Sequence, residues 1–182
     1  MIRIRFINRK AELRNKVTAS QLTALKSQMN PHFLFNTLNS LQDLILKHDI
    51  KNSNYYLNKF SVLMREVLDI SGKDEISLVR EIKLLDTYLE LEKLRFGDEF
   101  NFFINVDDEI DVEHLQLPPM IIQPFIENAL KHGLLHKKGE KKLFIDFKLT
   151  NDILICEIID NGVGRKKSEE IKARTSRTYQ SC

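Results

Sequence analysis

Phe100-Asn101-Phe102-Phe103-Ile104-Asn105-Val106 is the stretch where the sequence changes period. Upstream of it apolar residues recur every three or four positions; within it Phe100, Phe102, Ile104 and Val106 alternate with Asn101, Phe103 and Asn105, the pattern of a strand with one buried face. Further along, Leu143, Ile145, Phe147 and Leu149 alternate again, Thr150-Asn151-Asp152 turns, and Ile153–Ile159 is a nearly continuous apolar strand that runs into Asp160-Asn161-Gly162-Val163-Gly164. Between these strands Leu117-Pro118-Pro119 breaks the chain ahead of a helix expected from Met120 to His132, with Ile122, Phe125, Ile126 and Ala129 on its buried side. Just upstream, Ser77 is the expected N-cap of a helix through Leu94 that buries Leu78, Ile82, Leu85 and Leu89. Strands and helices in this order predict an α+β domain.

The N-terminal part is helical throughout. No Gly intervenes from Ala11 to Lys47, and both Leu22, Leu25, Met29, His32, Asn36 and Leu34, Leu38, Leu41, Ile45 are spaced three or four apart. Pro31 has no amide hydrogen to donate and clashes with the preceding turn, so a kink or helix boundary is expected just ahead of His32. After a polar loop at His48-Asp49-Ile50-Lys51-Asn52, Tyr56, Phe60, Leu63, Val67 and Ile70 predict a second helix and an antiparallel hairpin. Apolar stripes this wide leave one side of a lone hairpin uncovered, which predicts dimerisation as a four-helix bundle. Ser71-Gly72-Lys73-Asp74 closes the unit. The expected organisation is a basic segment at 1–16, the hairpin at 17–73 and the α+β domain at 74–182.

Composition narrows the classes. With 182 residues, 42% hydrophobic and 30% charged, and only 6 Gly and 4 Pro, the chain is neither disordered nor collagen-like. No apolar run approaches the roughly 18 residues of a membrane span, and Met1–Lys10 alternates Arg with Ile and Phe where a signal peptide would have an apolar block. The two cysteines, Cys156 and Cys182, make no disulfide framework and no metal-ligand spacing, so a reducing compartment is expected, with this stretch of chain soluble and cytoplasmic. The net charge of +2 hides three basic islands, at Met1–Lys16, Lys131–Lys142 and Arg165–Arg177, in an otherwise acidic chain. Such islands attract phosphates, anionic lipid or nucleic acid, or are solvated loops. Without a helix of clustered Arg to read a groove, direct nucleic-acid binding is not expected.

Three stretches could carry chemistry. In Gln28-Met29-Asn30-Pro31-His32-Phe33-Leu34-Phe35-Asn36, a histidine at a proline bend has a ring nitrogen suited to act as nucleophile, base or ligand, and Asn36 lies one turn later on the same face; a core histidine fits the same spacing. In Glu127-Asn128-Ala129-Leu130-Lys131-His132-Gly133, the four polar side chains Glu127, Asn128, Lys131 and His132 fall within about a 140° arc of a helix. An Asn carbonyl beside phosphate oxygens suits magnesium and Lys131 would neutralise phosphate, though a solvated helix face has the same composition. In Asp160-Asn161-Gly162-Val163-Gly164 the glycines permit close backbone approach to a ligand and Asp160 can accept from the amino group of a base; Asp-Asn-Gly is also a common turn.

The order of the three, over Gln21 to Gly164, resembles the LytS/YehU-type sensor histidine kinases, in which an Asn-Pro-His-Phe-Leu-Phe-Asn phosphoacceptor box precedes a Glu-Asn-x-x-x-His N box and an Asp-x-Gly-x-Gly box. The resemblance implies a Bergerat-type (GHKL) ATP-binding fold, autophosphorylation of His32 from ATP with Mg2+, and transfer to an aspartate of a response regulator, one with a LytTR-type DNA-binding domain. It implies that Asn128 is the magnesium ligand and that Lys131 and His132 approach the phosphates, while the helical spacing alone puts Asn36 where it could orient the His32 ring. Asp160 would read the adenine amino group, with Gly162 and Gly164 shaping the nucleotide loop. Phe33 stands where many histidine kinases carry an acid, which makes Glu127 the candidate to polarise or deprotonate the imidazole. Basic Met1–Lys16 then corresponds to a segment on the cytoplasmic side of a membrane anchor in a longer parent protein. The family's second glycine-rich box is not found after Gly164, so the expectation is a kinase truncated at its C-terminus, or alternatively a catalytically incomplete dimeric module that binds a response regulator or a membrane surface.

Overall fold

The computed structural model describes residues 31–164. The chain divides into two compact units, Met1–Lys73 and Asp74–Cys182.

In the first unit, helix α1 (Pro31–Leu46) and helix α2 (Ile50–Ile70) form a hairpin. Pro31 stands in the first turn of α1, where its missing amide hydrogen costs no helical bond. The bend expected ahead of it, the stripe Leu22, Leu25, Met29 and the basic segment 1–16 lie outside the described residues. The connection is shorter than the expected loop. His48 takes the left-handed conformation (φ 56°), its N–H donates to Ile45 O and the Asp49 N–H donates to Leu44 O, both at 3.0 Å, which ends α1 in a Schellman arrangement. Asp49 then caps α2, accepting from the Asn52 N–H at 3.1 Å, so Ile50, Lys51 and Asn52 are already helical. Phe33, Thr37 and Leu41 of α1 and Ser53, Leu63, Val67 and Ile70 of α2 are buried, while Tyr56 and Phe60 are half-buried. Of the stripe Leu34, Leu38, Leu41, Ile45, only Leu41 is buried; Leu38 and Ile45 are exposed.

The second unit mixes helix and sheet, the α+β class. Helix α3 (Leu78–Phe96) follows the short strand β1 (Ile76–Ser77), which pairs antiparallel with β3 (Gln116–Leu117). Ser77 is the N-cap residue, but its hydroxyl does not cap. The Leu78 and Val79 N–H groups donate instead to Leu115 O at 2.8 Å and Val112 O at 2.9 Å, so the segment leading into β3 satisfies the helix start. The buried face of α3 is wider than a Leu stripe: Glu81, Tyr88 and Glu92 join Leu78, Leu84, Leu85, Leu89 and Leu91, and Ile82 is only half-buried.

Three strands make the main sheet, in the order β2 (Phe100–Val106), β4 (Lys141–Thr150), β5 (Ile153–Asp160); β2 and β4 are parallel, β4 and β5 antiparallel. Phe100, Leu143, Ile145 and Phe147 are buried on its inner face. The continuous apolar run of β5 reads like a strand covered on both faces, but β5 is the terminal strand among the described residues and Ile153, Ile155 and Ile159 are exposed.

The helix expected from Met120 to His132 is corrected. Met120 has φ 59°, helix α4 spans only Gln123–Asn128, and the chain then widens into a π-helical segment, Ala129–Leu134, closed by a Leu135 N–H to Leu130 O bond at 2.8 Å. The late start has a tertiary cause: the buried Glu81 carboxylate accepts from the Met120 N–H at 2.9 Å and the Ile122 N–H at 3.4 Å and holds that segment out of the helix. Ile122, Ile126 and Ala129 are buried as expected, but Phe125 is 62% exposed.

Candidate nucleotide and phosphoacceptor sites

Each unit carries one candidate site. On α1, His32 is exposed in the first turn, and the Asn36 amide nitrogen lies 3.0 Å from its Nδ1, the i to i+4 contact that the helix dictates. Phe33, the next residue, is turned into the core.

In the second unit, α4 and the π-helical segment carry Glu127, Asn128, Lys131 and His132, and β5 carries Asp160 at its end. Asn128 and Lys131 are exposed; Glu127 and His132 are half-buried. Widening at Ala129 adds a residue to the turn that presents Lys131 and His132 and brings buried Gly133 under the Asp160 loop. The two backbones meet there. A Cβ on Gly162 would overlap the Gly133 main chain, and a Cβ on Gly133 would overlap the Asp160 carboxylate, its Cγ 2.8 Å away. The Val163 N–H donates to Gly133 O at 3.1 Å across the same crossing. Gly162 is therefore glycine because of a close approach, and Gly164 because of its left-handed φ of 77°.

Asp160 Oδ1 accepts from the Gly162 N–H at 2.8 Å, an Asx turn that fixes the carboxylate over the loop. Asn161 anchors the turn from the other side. Its Oδ1 accepts from the Lys142 N–H at 2.8 Å, its Nδ2 donates to Glu140 O at 3.2 Å, and its own carbonyl accepts from Lys137 Nζ at 2.7 Å. The basic island at Lys131–Lys142 is thereby partly spent on structure: Lys141 pairs with Glu99 at 2.9 Å and Lys142 with Glu140 at 3.0 Å. The island at Arg165–Arg177 lies outside the described residues.

Behind α4 lies a buried polar array. Gln123 Nε2 donates to Glu127 Oε1 at 3.0 Å, Arg95 Nη2 pairs with Glu92 Oε2 at 2.9 Å, and the Tyr88 hydroxyl donates to Glu92 Oε1 at 3.3 Å. Burial pushes the Glu92 carboxyl above its ordinary range, with the Glu127 charge adding to it and Arg95 and Tyr88 opposing. The Tyr88 phenol is raised by burial first, then by the charges of Glu92 and Glu127. Cys156 is no part of either site; burial and then Asp146 and Glu81 hold its thiol protonated, pushed up to about 11.

Gly133, Asn161, Lys137 and Gln123 are the residues that spacing alone did not mark. Only Gly133 carried a signal, a glycine inside an apolar helical pattern, which points to close packing. Among the described residues no cluster of three His, Cys, Asp or Glu could hold a metal by itself, so a divalent ion here would depend on Asn128 and on phosphate oxygens. The residues fit a nucleotide in that limited sense: an exposed amide and ammonium at the helix end, beside a glycine loop drawn against it by a crossing that no side chain could occupy.

A helical hairpin bearing an exposed histidine, followed by an α+β unit bearing a polar helix end and a glycine loop, defines a class. Residues 20–100 match the family model for histidine kinase. Among curated proteins it is similar to the sensor protein LytS of Oceanobacillus iheyensis, 32% identical over 154 residues, 84% of this chain and 26% of that protein. The Bacillus subtilis sensor protein LytS is 32% identical over 155 residues, 85% of this chain and 26% of its own length. A putative uncharacterized protein of Bacillus subtilis, YwpD, is 34% identical over 161 residues, 86% of this chain and 56% of that protein. The chain spans about a quarter of the length of the LytS proteins it matches.

Proposed function

We propose that this chain is the phosphoacceptor and ATP-binding part of a sensor histidine kinase, with His32 as the group that is phosphorylated. The observation that supports it most is the exposed His32 with Asn36 at 3.0 Å from Nδ1, inside the stretch that matches the histidine kinase family. The Asn36 Nδ2–H donates to Nδ1, which places the ring proton on Nε2 and leaves Nε2 as the nitrogen that reacts once a base has taken that proton. Nε2 bonds to the terminal phosphorus of ATP as the bond to the ADP oxygen breaks, and the ring proton passes to a base, the role assigned to Glu127. In phosphoryl transfer the protein mainly positions the reactants and neutralises charge. Lys131 and His132 supply that charge beside the phosphates, Asp160 accepts from the adenine amino group, and Gly162 and Gly164 shape the loop that receives the nucleotide. Asn128 offers its carbonyl to magnesium, whose chemistry is to neutralise phosphate oxygens.

The phosphoryl group would go on to an aspartate of a response regulator, one of LytTR type. The exposed apolar residues of the hairpin, Phe35, Leu38, Ile45, Leu57 and Val62 among them, support a dimer through this unit. No helix among the described residues is long and apolar enough to cross a membrane. The cytoplasmic face of a membrane remains the proposed location, through an anchor elsewhere in the parent protein. Incubating the full chain with labelled ATP and magnesium should yield an acid-labile phosphate that His32→Gln abolishes; label unchanged in that variant would overturn the proposal.

A further inference from the structure

Strand β5 ends on a ladder rung that a side chain completes. Asp160 pairs directly with buried Leu143, so its carboxylate lies on the inner face of the sheet, against Gly133. At the next rung the Asn161 N–H donates to Lys142 O at 3.2 Å, but the Lys142 N–H donates in return to Asn161 Oδ1 at 2.8 Å, where an antiparallel pair would use the main-chain carbonyl. The Asn161 carbonyl, released from the ladder, accepts from Lys137 Nζ at 2.7 Å, and Asn161 Nδ2 donates to Glu140 O at 3.2 Å. From this anchored residue the chain leaves the sheet. The Gly162 N–H donates to Asp160 Oδ1 at 2.8 Å and the Val163 N–H to Gly133 O at 3.1 Å. The turn bond engages Oδ1, so Oδ2 is the oxygen left for the donor of a ligand.

We propose that Asn161 is a positioning residue: by completing the last rung of the β4–β5 ladder with its side chain, it sets where the backbone leaves the sheet and so holds the Asp160 carboxylate where it accepts from the amino group of adenine. This rests on the reading of Asp160 as the residue that reads the base in the proposed nucleotide site. The role needs an acceptor for the Lys142 amide and a donor for the Glu140 carbonyl on one short side chain, which asparagine supplies. Aspartate would keep the acceptor but set a charge against Glu140 O, and alanine keeps neither group. Asn161 is exposed, so what a substitution removes is these hydrogen bonds and not buried packing. Sequence spacing did not single it out, because an Asn ahead of a Gly reads as an ordinary turn residue.

The experiment measures dissociation constants of the full chain for ATP and for purine riboside triphosphate, which lacks only the amino group, by competition with a fluorescent ATP analogue, together with the melting temperature. The parent should bind ATP about tenfold or more tighter than the amino-free analogue, the effect of a hydrogen bond to a charged acceptor, and Asp160→Ala should abolish that preference. Asn161→Ala should lower the preference to about threefold or less, losing affinity for ATP with little change for the analogue, and Asn161→Asp should fall between it and the parent. A residue that merely held the loop together would weaken both nucleotides alike. A folded Asn161→Ala chain with the parent's preference overturns the proposal, whether or not both affinities fall. If that variant does not fold, an unchanged preference in Asn161→Asp overturns it, as does failure of both variants to fold, since Asn161 would then be structural. A parent that binds the two nucleotides equally or binds neither, or a preference that survives Asp160→Ala, overturns the reading of Asp160 and this inference together; a preference that Asp160→Ala removes and Asn161→Ala keeps overturns the inference alone.

Discussion

Gly133 and Asp49 illustrate how single residues decide local geometry. At Gly133 the π-helical segment passes beneath the Asp160 loop with no space for a methyl group. Gly133→Ala should therefore displace the Asp160 carboxylate, lower nucleotide affinity measured with a fluorescent ATP analogue, and cost about 1–3 kcal/mol of stability in denaturant unfolding. Asp49 works through its charge. The Asn52 backbone N–H, then the Asn52 side chain, hold its carboxyl below the ordinary 3.8. A lowered folded-state pKa means that its stabilisation is present above the ordinary value and is lost as the pH falls through the lowered one. Asp49→Ala should melt at a lower temperature than the parent at neutral pH, and the gap should close as the pH falls through the lowered carboxyl value. The cap itself was not legible in the sequence: Asp49 sits inside a polar run, and which residue of that run ends α1 depends on His48 adopting a left-handed conformation.

Among elements, α3 and α4 depend on each other. The first amide groups of α3 are satisfied by Val112 and Leu115, and Glu81 of α3 in turn holds the Met120 and Ile122 amides that precede α4. Removing that carboxylate orphans two backbone donors, so Glu81→Ala should destabilise the second unit by about 3 kcal/mol. Burial raises the Glu81 carboxyl above its ordinary 4.5, with the two backbone donors only partly opposing. A raised folded-state pKa means that this group's contribution is fullest below the ordinary value and declines as pH rises through the raised one. The stability gap between parent and Glu81→Ala should accordingly be widest at the acid end of that range and narrow toward neutrality, as thermal melts at a series of pH values would show. Periodicity located α3 and the strands because their apolar residues repeat regularly; it overran α4, because a side chain about forty residues away sets where that helix begins.

Taken as a whole, the molecule is two units, with an exposed histidine on the hairpin and a glycine loop on the α+β unit. The hairpin exposes Leu38 and Ile45 on α1 and Leu57 and Val62 on α2, more apolar surface than a pair of helices holds easily in water. The double variant Leu38→Glu, Ile45→Glu should shift sedimentation of the full chain from dimer to monomer without unfolding the second unit, whereas a parent that is already monomeric would remove the argument for a bundle. By itself the sequence determined the class, the order of elements and the three motifs, since these depend on residue type and on spacing along one helix or strand, which are local properties. What the tertiary structure decided was how the motifs are assembled: the π-helical widening, the Gly133–Gly162 crossing and the Gln123–Glu127 pair beside buried Glu92. Those follow from backbones and charges meeting across the fold, and no periodicity along a single segment records which segment will lie opposite it.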